Sequence, residues 1–226
     1  MPAAGQSCDF APLIQRVLDE VCVQIRFAPA RLAPTGSVAA LERLLALTAQ
    51  WSRRIDLTAA RDTSELVDLY VADAAVLAAA EPSAESLPER LRWIDVGTGG
   101  GAPGLALALL RPDLRLTLVE PRAKRIAFLR TALGALERTD VQVERARSQA
   151  LPDAAWEVAC SRATLPPAEW LNEGTRLATS AVWVLLARAE PPSAVGWRVD
   201  REIEYRWPLR GAERRALRYV PAGAGQ

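Results

Sequence analysis

The stretch Trp93-Ile94-Asp95-Val96-Gly97-Thr98-Gly99-Gly100-Gly101-Ala102-Pro103-Gly104 constrains this chain more than any other: a short apolar run passes straight into glycines and then into a helix-like segment. A buried strand ending in glycine lets the backbone turn sharply and approach a ligand with no Cβ between them, and Pro103 suits the first turn of a following helix. A ligand therefore belongs at this turn. About 20 residues further on, the next apolar run ends in Glu120, where a carboxylate can accept hydrogen bonds from ribose hydroxyls.

The chain around this loop has two regimes. Phe10, Leu13, Ile14, Val17, Leu18, Val21 and Ile25 recur at three- and four-residue spacing, which predicts an amphipathic helix. Leu41, Leu44, Leu45, Thr48 and Trp51 repeat the pattern after the Pro34-Thr35-Gly36-Ser37 turn. Asp62 with Glu65 has capping-box spacing and announces a third helix through Leu66, Val67, Tyr70, Val71, Ala74 and Leu77. Glu81 to Arg90, with two prolines, reads as a linker. The expected division is a helical N-terminal extension over 1–90, packed on a core domain over 91–226.

From Leu91 onward strands alternate with helices. Strands are predicted at 91–96, 114–120, 141–144, 157–160 and 181–187, and helices near 103–110, 122–136 and 168–177. That alternation means a mostly parallel sheet, because parallel neighbours need a crossover between them. The final runs, 197–207 and 216–220, have only the turn-forming Pro208 to Gly211 between them, so they should pair as an antiparallel hairpin at the sheet edge.

Composition excludes several chemistries. The 226 residues contain no histidine, which removes His-based triads, His-metal sites and the usual general base near neutral pH. Cys8, Cys22 and Cys160 show no CxxC spacing, so packing is their expected use and no metal is expected. No leader-like or bilayer-length apolar segment is present, which predicts a cytoplasmic chain with no membrane partner. A net charge of +1 neither demands nor excludes a polyanionic partner, although from residue 196 onward seven arginines face four acids.

Two ligands fit the glycine turn. Gly97, Gly99 and Ala102 satisfy the G-x-G-x-x-G/A dinucleotide pattern, and S-adenosylmethionine fits equally at this level. Context favours the latter: a nicotinamide enzyme normally begins with this βαβ unit and offers a proton donor such as histidine.

The string Asp95 to Gly104 resembles the D-V-G-[ST]-G-x-G-x-P-G loop of the ribosomal small-subunit RNA guanine-N7 methyltransferases, the RsmG or glucose-inhibited division protein B family. Trp51 to Thr58 is similar to that family's W-N-x-x-x-N-L-T element, and Leu116 to Leu129 to its T-L-[LV]-[DE]-x-x-x-K-R-x-x-F-L element. Ser161-Arg162-Ala163 matches its S-R-A step and Glu213-Arg214-Arg215 resembles its closing E-R-H. The likeness covers roughly 38–220, with departures: Ser52 and Asp56 replace asparagines, only Asp73 survives of R-H-x-x-D-S, and a Lys-Gly after the fifth strand is missing.

The resemblance implies a Rossmann-like class I methyltransferase fold, with a mostly parallel seven-stranded sheet and an antiparallel C-terminal hairpin. It implies S-adenosylmethionine as cofactor, touching Asp95, Gly97, Thr98, Gly99, Gly101 and Ala102, with Glu120 on the ribose and Ser148 and Gln149 beside the adenine. Arg162 would lie near the methionine end or the substrate, as the catalytic candidate. Arg53, Arg54, Lys124, Arg125, Arg214 and Arg215 would contact ribosomal RNA or the small subunit, with the protein acting as a monomer. The implied reaction suits a chain without histidine, because guanine N7 is an unprotonated lone pair that needs no general base. Methylation of a small molecule or another RNA, and noncatalytic cofactor binding as a sensor or assembly factor, are the rival readings.

Overall fold

The computed structural model of the chain describes residues 9–26, 32–81 and 91–223. Among the described residues the chain opens with α1 (Ala11–Gln24), α2 (Ser37–Trp51) and a helical segment that begins as α3 (Thr63–Val67). α1 buries Ile14, Val17, Leu18 and Val21 of the predicted stripe, with Cys22 beside them, while Leu13 and Ile25 are only half-buried. At α3 the Asp62 side chain accepts from the Glu65 amide at 2.9 Å, while the Glu65 carboxylate accepts from the Arg61 amide rather than that of Asp62.

The third helix is not the uninterrupted α-helix its apolar spacing suggests. Asp68–Ala72 form a π-helical turn, after which α4 (Asp73–Ala80) resumes. In a π turn the backbone bonds run from i to i+5, so residues five apart fall on nearly one side. Asp68 and Asp73 both use that geometry to reach the C-terminal hairpin: Asp68 accepts from the amides of Leu209 and Arg210, and Asp73 from Tyr205 and Trp207. Of the predicted linker, residues 82–90 lie outside the described residues. Glu81 is buried, with Oε1 accepting from Trp183 Nε1 at 2.7 Å and Arg218 Nε at 2.6 Å.

The remaining elements are β1 (Arg92–Val96), α5 (Gly104–Leu110), β2 (Arg115–Val119), α6 (Ala123–Ala135), β3 (Gln142–Glu144), β4 (Trp156–Ser161), α7 (Pro167–Leu177), β5 (Ala178–Leu186), β6 (Trp197–Arg206) and β7 (Glu213–Pro221). They form a seven-stranded sheet in the order β3-β2-β1-β4-β5-β7-β6. The first five strands are parallel, and β7 runs antiparallel to both β5 and the edge strand β6.

Alternation along each strand builds two cores. Trp93, Leu116, Leu118, Val158 and Trp183 join the cluster containing α1, α2, α4, α5 and α6, whereas Ile94, Val96, Val119, Val182 and Val184 pack with Trp170, Leu171 and Leu177 of α7. The N-terminal helices thus share one apolar cluster with the sheet, and hydrogen bonds stitch them to it. Ser37 Oγ donates to the Leu109 carbonyl at 3.1 Å, and Arg43 to that of Ala135 at 3.1 Å.

The order places the functional crevice. The chain leaves β1 toward β2 and β3 on one side, then crosses back to β4 on the other, so the carboxyl end of β1 is the point where connections diverge. Open α/β sheets bind their ligands there. Among the described residues no helix is long and apolar enough to cross a membrane.

Candidate functional site

The glycine loop folds back on the end of β2. The amides of Gly97 and Thr98 both donate to the Val119 carbonyl, at 2.8 and 3.0 Å. Asp95, fully buried, braces the turn from below: Oδ2 accepts from Thr98 Oγ1 at 2.6 Å and from the Gly104 amide at 3.0 Å. Burial pushes its carboxyl up to about 6, against the pull of those two bonds and of Arg162. Its Oδ1 is buried with no hydrogen-bond partner among the described residues.

The glycines serve different ends. A Cβ at Gly97 would come within 2.3 Å of Thr164, and one at Gly101 within 2.4 Å of Leu105, so at both the missing side chain makes room for protein. Gly99, at φ +61, needs glycine for its backbone, and a Cβ there would meet nothing nearer than the Arg125 guanidinium at 3.6 Å. The open face of the loop is therefore at Gly99. Ala102 sits at the loop's end, half-buried.

Glu120 stands beside that open face. It is 2% exposed, with Oε2 accepting from the Gly99 amide at 3.1 Å and Oε1 from the Arg122 amide at 2.9 Å. One backbone bond per oxygen fixes the carboxylate and leaves lone pairs for further donors. Arg125 lies across it, its Nη1 3.6 Å from Oε2, while its Nε donates to the Asp56 carbonyl at 3.0 Å. This ties the Trp51–Thr58 segment to the loop.

On the other side of β1, the end of β4 is laced to the same strand. Ser161 Oγ donates to the Val96 carbonyl at 2.7 Å, and Thr164 Oγ1 reaches the Gly97 carbonyl at 3.2 Å. Between them Ala163 holds a left-handed backbone at φ 53, the kind of local strain that surrounding contacts must enforce. The bend delivers Arg162 to the crevice, 21% exposed, its Nε 3.9 Å from Asp73 Oδ2. The charge of Arg162 is felt at Asp95, Tyr70 and Tyr205, which places it between the loop and the hairpin.

The other expected positions divide. Ser148 is buried in a 3-10 turn (Ser148–Ala150), its carbonyl accepting from Arg176 at 2.8 Å, and Gln149 is exposed beside it. Arg53, Arg54 and Lys124 are exposed and make no ion pair among the described residues. Arg125 is engaged as above, Arg214 stacks on Trp207 at 3.8 Å, and Arg215 is paired with Glu202 at 2.9 Å. Sequence reasoning missed Tyr70, whose hydroxyl donates to the Gly100 carbonyl at 2.6 Å, and Thr164. It noted Asp73 only as a retained family residue, without a role. Of the three cysteines, Cys22 and Cys160 are buried and free, and Cys8 lies outside the described residues. Among the described residues no group of His, Cys, Asp and Glu could hold a metal.

A glycine turn open at Gly99, a fixed acid at the end of β2 and an arginine just past β4 define a Rossmann-like, nucleoside-cofactor-binding protein of the class I methyltransferase type. S-adenosylmethionine fits this donor set: Glu120 offers acceptors for ribose hydroxyls, and Gly99 leaves room for close approach.

Residues 37–193 match the family described as rRNA small subunit methyltransferase G, and the chain belongs to that family. It is 37% identical over 190 residues to the ribosomal RNA small subunit methyltransferase G of Halorhodospira halophila, covering 83% of this chain and 84% of the relative. The protein of the same name from Neisseria gonorrhoeae is 30% identical over 177 residues, covering 76% and 83%. Among solved structures, a SAM dependent methyltransferase from Aquifex aeolicus aligns with a TM-score of 0.49 at 17% identity, over 71% of this chain and 94% of that one.

Proposed function

We propose that this chain methylates N7 of a guanosine in small-subunit ribosomal RNA, acting as a cytoplasmic monomer on the RNA or the small ribosomal subunit. The observation that carries the reading is the Gly99–Glu120 pair at the carboxyl edge of β1 and β2, in a chain of this family, with Arg162 across the crevice. Held by the Gly97–Ala102 turn and Glu120, S-adenosylmethionine would supply an electrophilic methyl group on a sulfonium, the S–C electron pair staying on sulfur as the methyl goes to nitrogen.

The chain's own residues have positional work to do. Glu120 would grip the ribose, and the Gly97–Ala102 turn, with Asp95 and Thr98 bracing it, would follow the backbone of the ligand. Ser148 and Gln149 would border the adenine. No side chain has to remove a proton, because the attacking nitrogen carries none. Holding the reacting atoms at roughly 3 Å and in line is the main task, and orientation of that kind supplies about 7–11 kcal/mol. Arg53, Arg54 and Lys124, exposed and without ion pairs among the described residues, are the phosphate contacts this reading favours; Arg125, Arg214 and Arg215 would first have to leave their partners.

The test is incubation with methyl-labelled cofactor and, in parallel, small ribosomal subunits or a metabolite extract, followed by nucleoside digestion. Label in 7-methylguanosine from the subunits supports the reading. Label only in a small molecule, or none despite cofactor binding, contradicts it.

A further inference from the structure

Arg162 is held by very little for a side chain so close to the cofactor loop. Its Nε is buried and makes no hydrogen bond among the described residues. The acid facing it is Asp73, 1% exposed, with Oδ2 at 3.9 Å. The other oxygen of Asp73 is doubly occupied: Oδ1 accepts from Tyr205 Oη and from Trp207 Nε1, each at 2.8 Å. Two donors on one oxygen fix the plane of the carboxylate and turn the second oxygen to Arg162. The π turn before Asp73 and the β6–β7 hairpin thus converge on one carboxylate whose free side points at the crevice.

Guanine offers an arginine two acceptors on this edge, O6 and N7. If N7 is the nucleophile its lone pair must stay free, which leaves O6. Methylation at N7 also turns the ring cationic, and an uncompensated guanidinium alongside would oppose the arrival of that charge. Resting on the guanosine reading above, we propose that Asp73 is a positioning residue: it orients Arg162 to donate to guanine O6 and cancels its charge beside N7.

Asp73→Asn is the discriminating variant, because the amide oxygen can still accept from Tyr205 and Trp207 while the charge facing Arg162 is gone. The expected result is a fall in kcat of about 10- to 100-fold, the loss of one charge-assisted contact. The KM for small subunits and the affinity for S-adenosylhomocysteine by calorimetry should stay within about 2-fold. Combined with Arg162→Lys the loss should not add, since both changes break one unit. The ¹⁵N-detected Arg162 Nε–H resonance should shift in D73N. Retained kcat, additive losses, or a cofactor affinity that falls in step with kcat would overturn the assignment. Should D73N fail to fold, Tyr205→Phe tests the same point: a smaller fall in kcat that disappears in the R162K background supports it, and an additive one refutes it. A wild type that binds S-adenosylhomocysteine yet methylates no ribosomal RNA overturns the proposed function, and this assignment falls with it.

Discussion

The Tyr70 hydroxyl donates to the carbonyl of Gly100, 2.6 Å away and thirty residues along the chain, so the N-terminal helices hold the glycine turn directly. The phenol is fully enclosed, and burial pushes its pKa up to about 12, which keeps it a donor throughout the physiological range. Tyr70→Phe leaves a buried carbonyl unanswered at a cost of about 1–3 kcal/mol. Part of that cost should fall on the loop: urea unfolding should show the lost stability, and calorimetry a several-fold weaker affinity for S-adenosylhomocysteine. Unchanged affinity would mean that the turn stands without its helical brace.

Asp68 and Asp95 give the fold a defined response to pH. Burial raises both carboxyls from 3.8 to about 6. A raised carboxyl pKa means that the folded state holds its proton more tightly than the unfolded chain. The contribution is therefore full below the unfolded value and lost as pH rises through about 6. Asp68→Asn removes one of these titrations. Its amide cannot accept from both Leu209 and Arg210, which gives a constant loss; the diagnostic is the slope. Between about pH 4 and pH 7 the wild type should lose about 1–2 kcal/mol relative to D68N, after allowance for solvent screening. Parallel denaturation curves across that range would contradict the raised value.

Glu81 joins the end of the helical segment to the sheet through Trp183 and Arg218. Glu81→Ala takes the acceptor from the buried Trp183 Nε1 and leaves the partly buried Arg218 with Asp200 alone, so it should destabilise by about 1–3 kcal/mol, read from the midpoint of chemical denaturation. The loss should be smaller in an Arg218→Ala background, where the Glu81–Arg218 pair is already gone.

How much of this was legible depends on the range of the interaction. The βα alternation, the hairpin and the acid closing β2 follow from local periodicity, and the structure has all of them. The π turn was hidden because Leu66, Val67, Tyr70, Val71 and Ala74 suit an α-helical stripe just as well. What distinguishes the two is where Asp68, Tyr70 and Asp73 find partners, at distances of 30 to 142 residues along the chain. Arg214 and Arg215 read alike in sequence, yet neighbours on a strand point to opposite faces: one stacks on Trp207 and the other pairs with Glu202. Gly97, Gly99 and Gly101 were legible as a turn, but not that Gly97 and Gly101 make room for Thr164 and Leu105 while Gly99 faces the open side.

Exposed cations should govern the salt dependence of RNA binding. Each phosphate contact contributes about 0.7–0.9 to the slope of log affinity against log salt. Reversing Arg53, Arg54 and Lys124 to glutamate should lower that slope by about 2 or more and weaken binding most at low salt. A slope equal to that of the wild type would move the RNA-contacting face elsewhere.

The central claim is that the bend after β1, with the carboxylate at the end of β2, holds a nucleoside cofactor. Calorimetric titration of wild type and Glu120→Ala with S-adenosylhomocysteine tests it most directly. The account predicts saturable heat at one site per chain for the wild type and at least about 10-fold weaker binding for the variant, the loss of a charged hydrogen-bond acceptor. No heat with the wild type, or equal affinity in the two proteins, would contradict it.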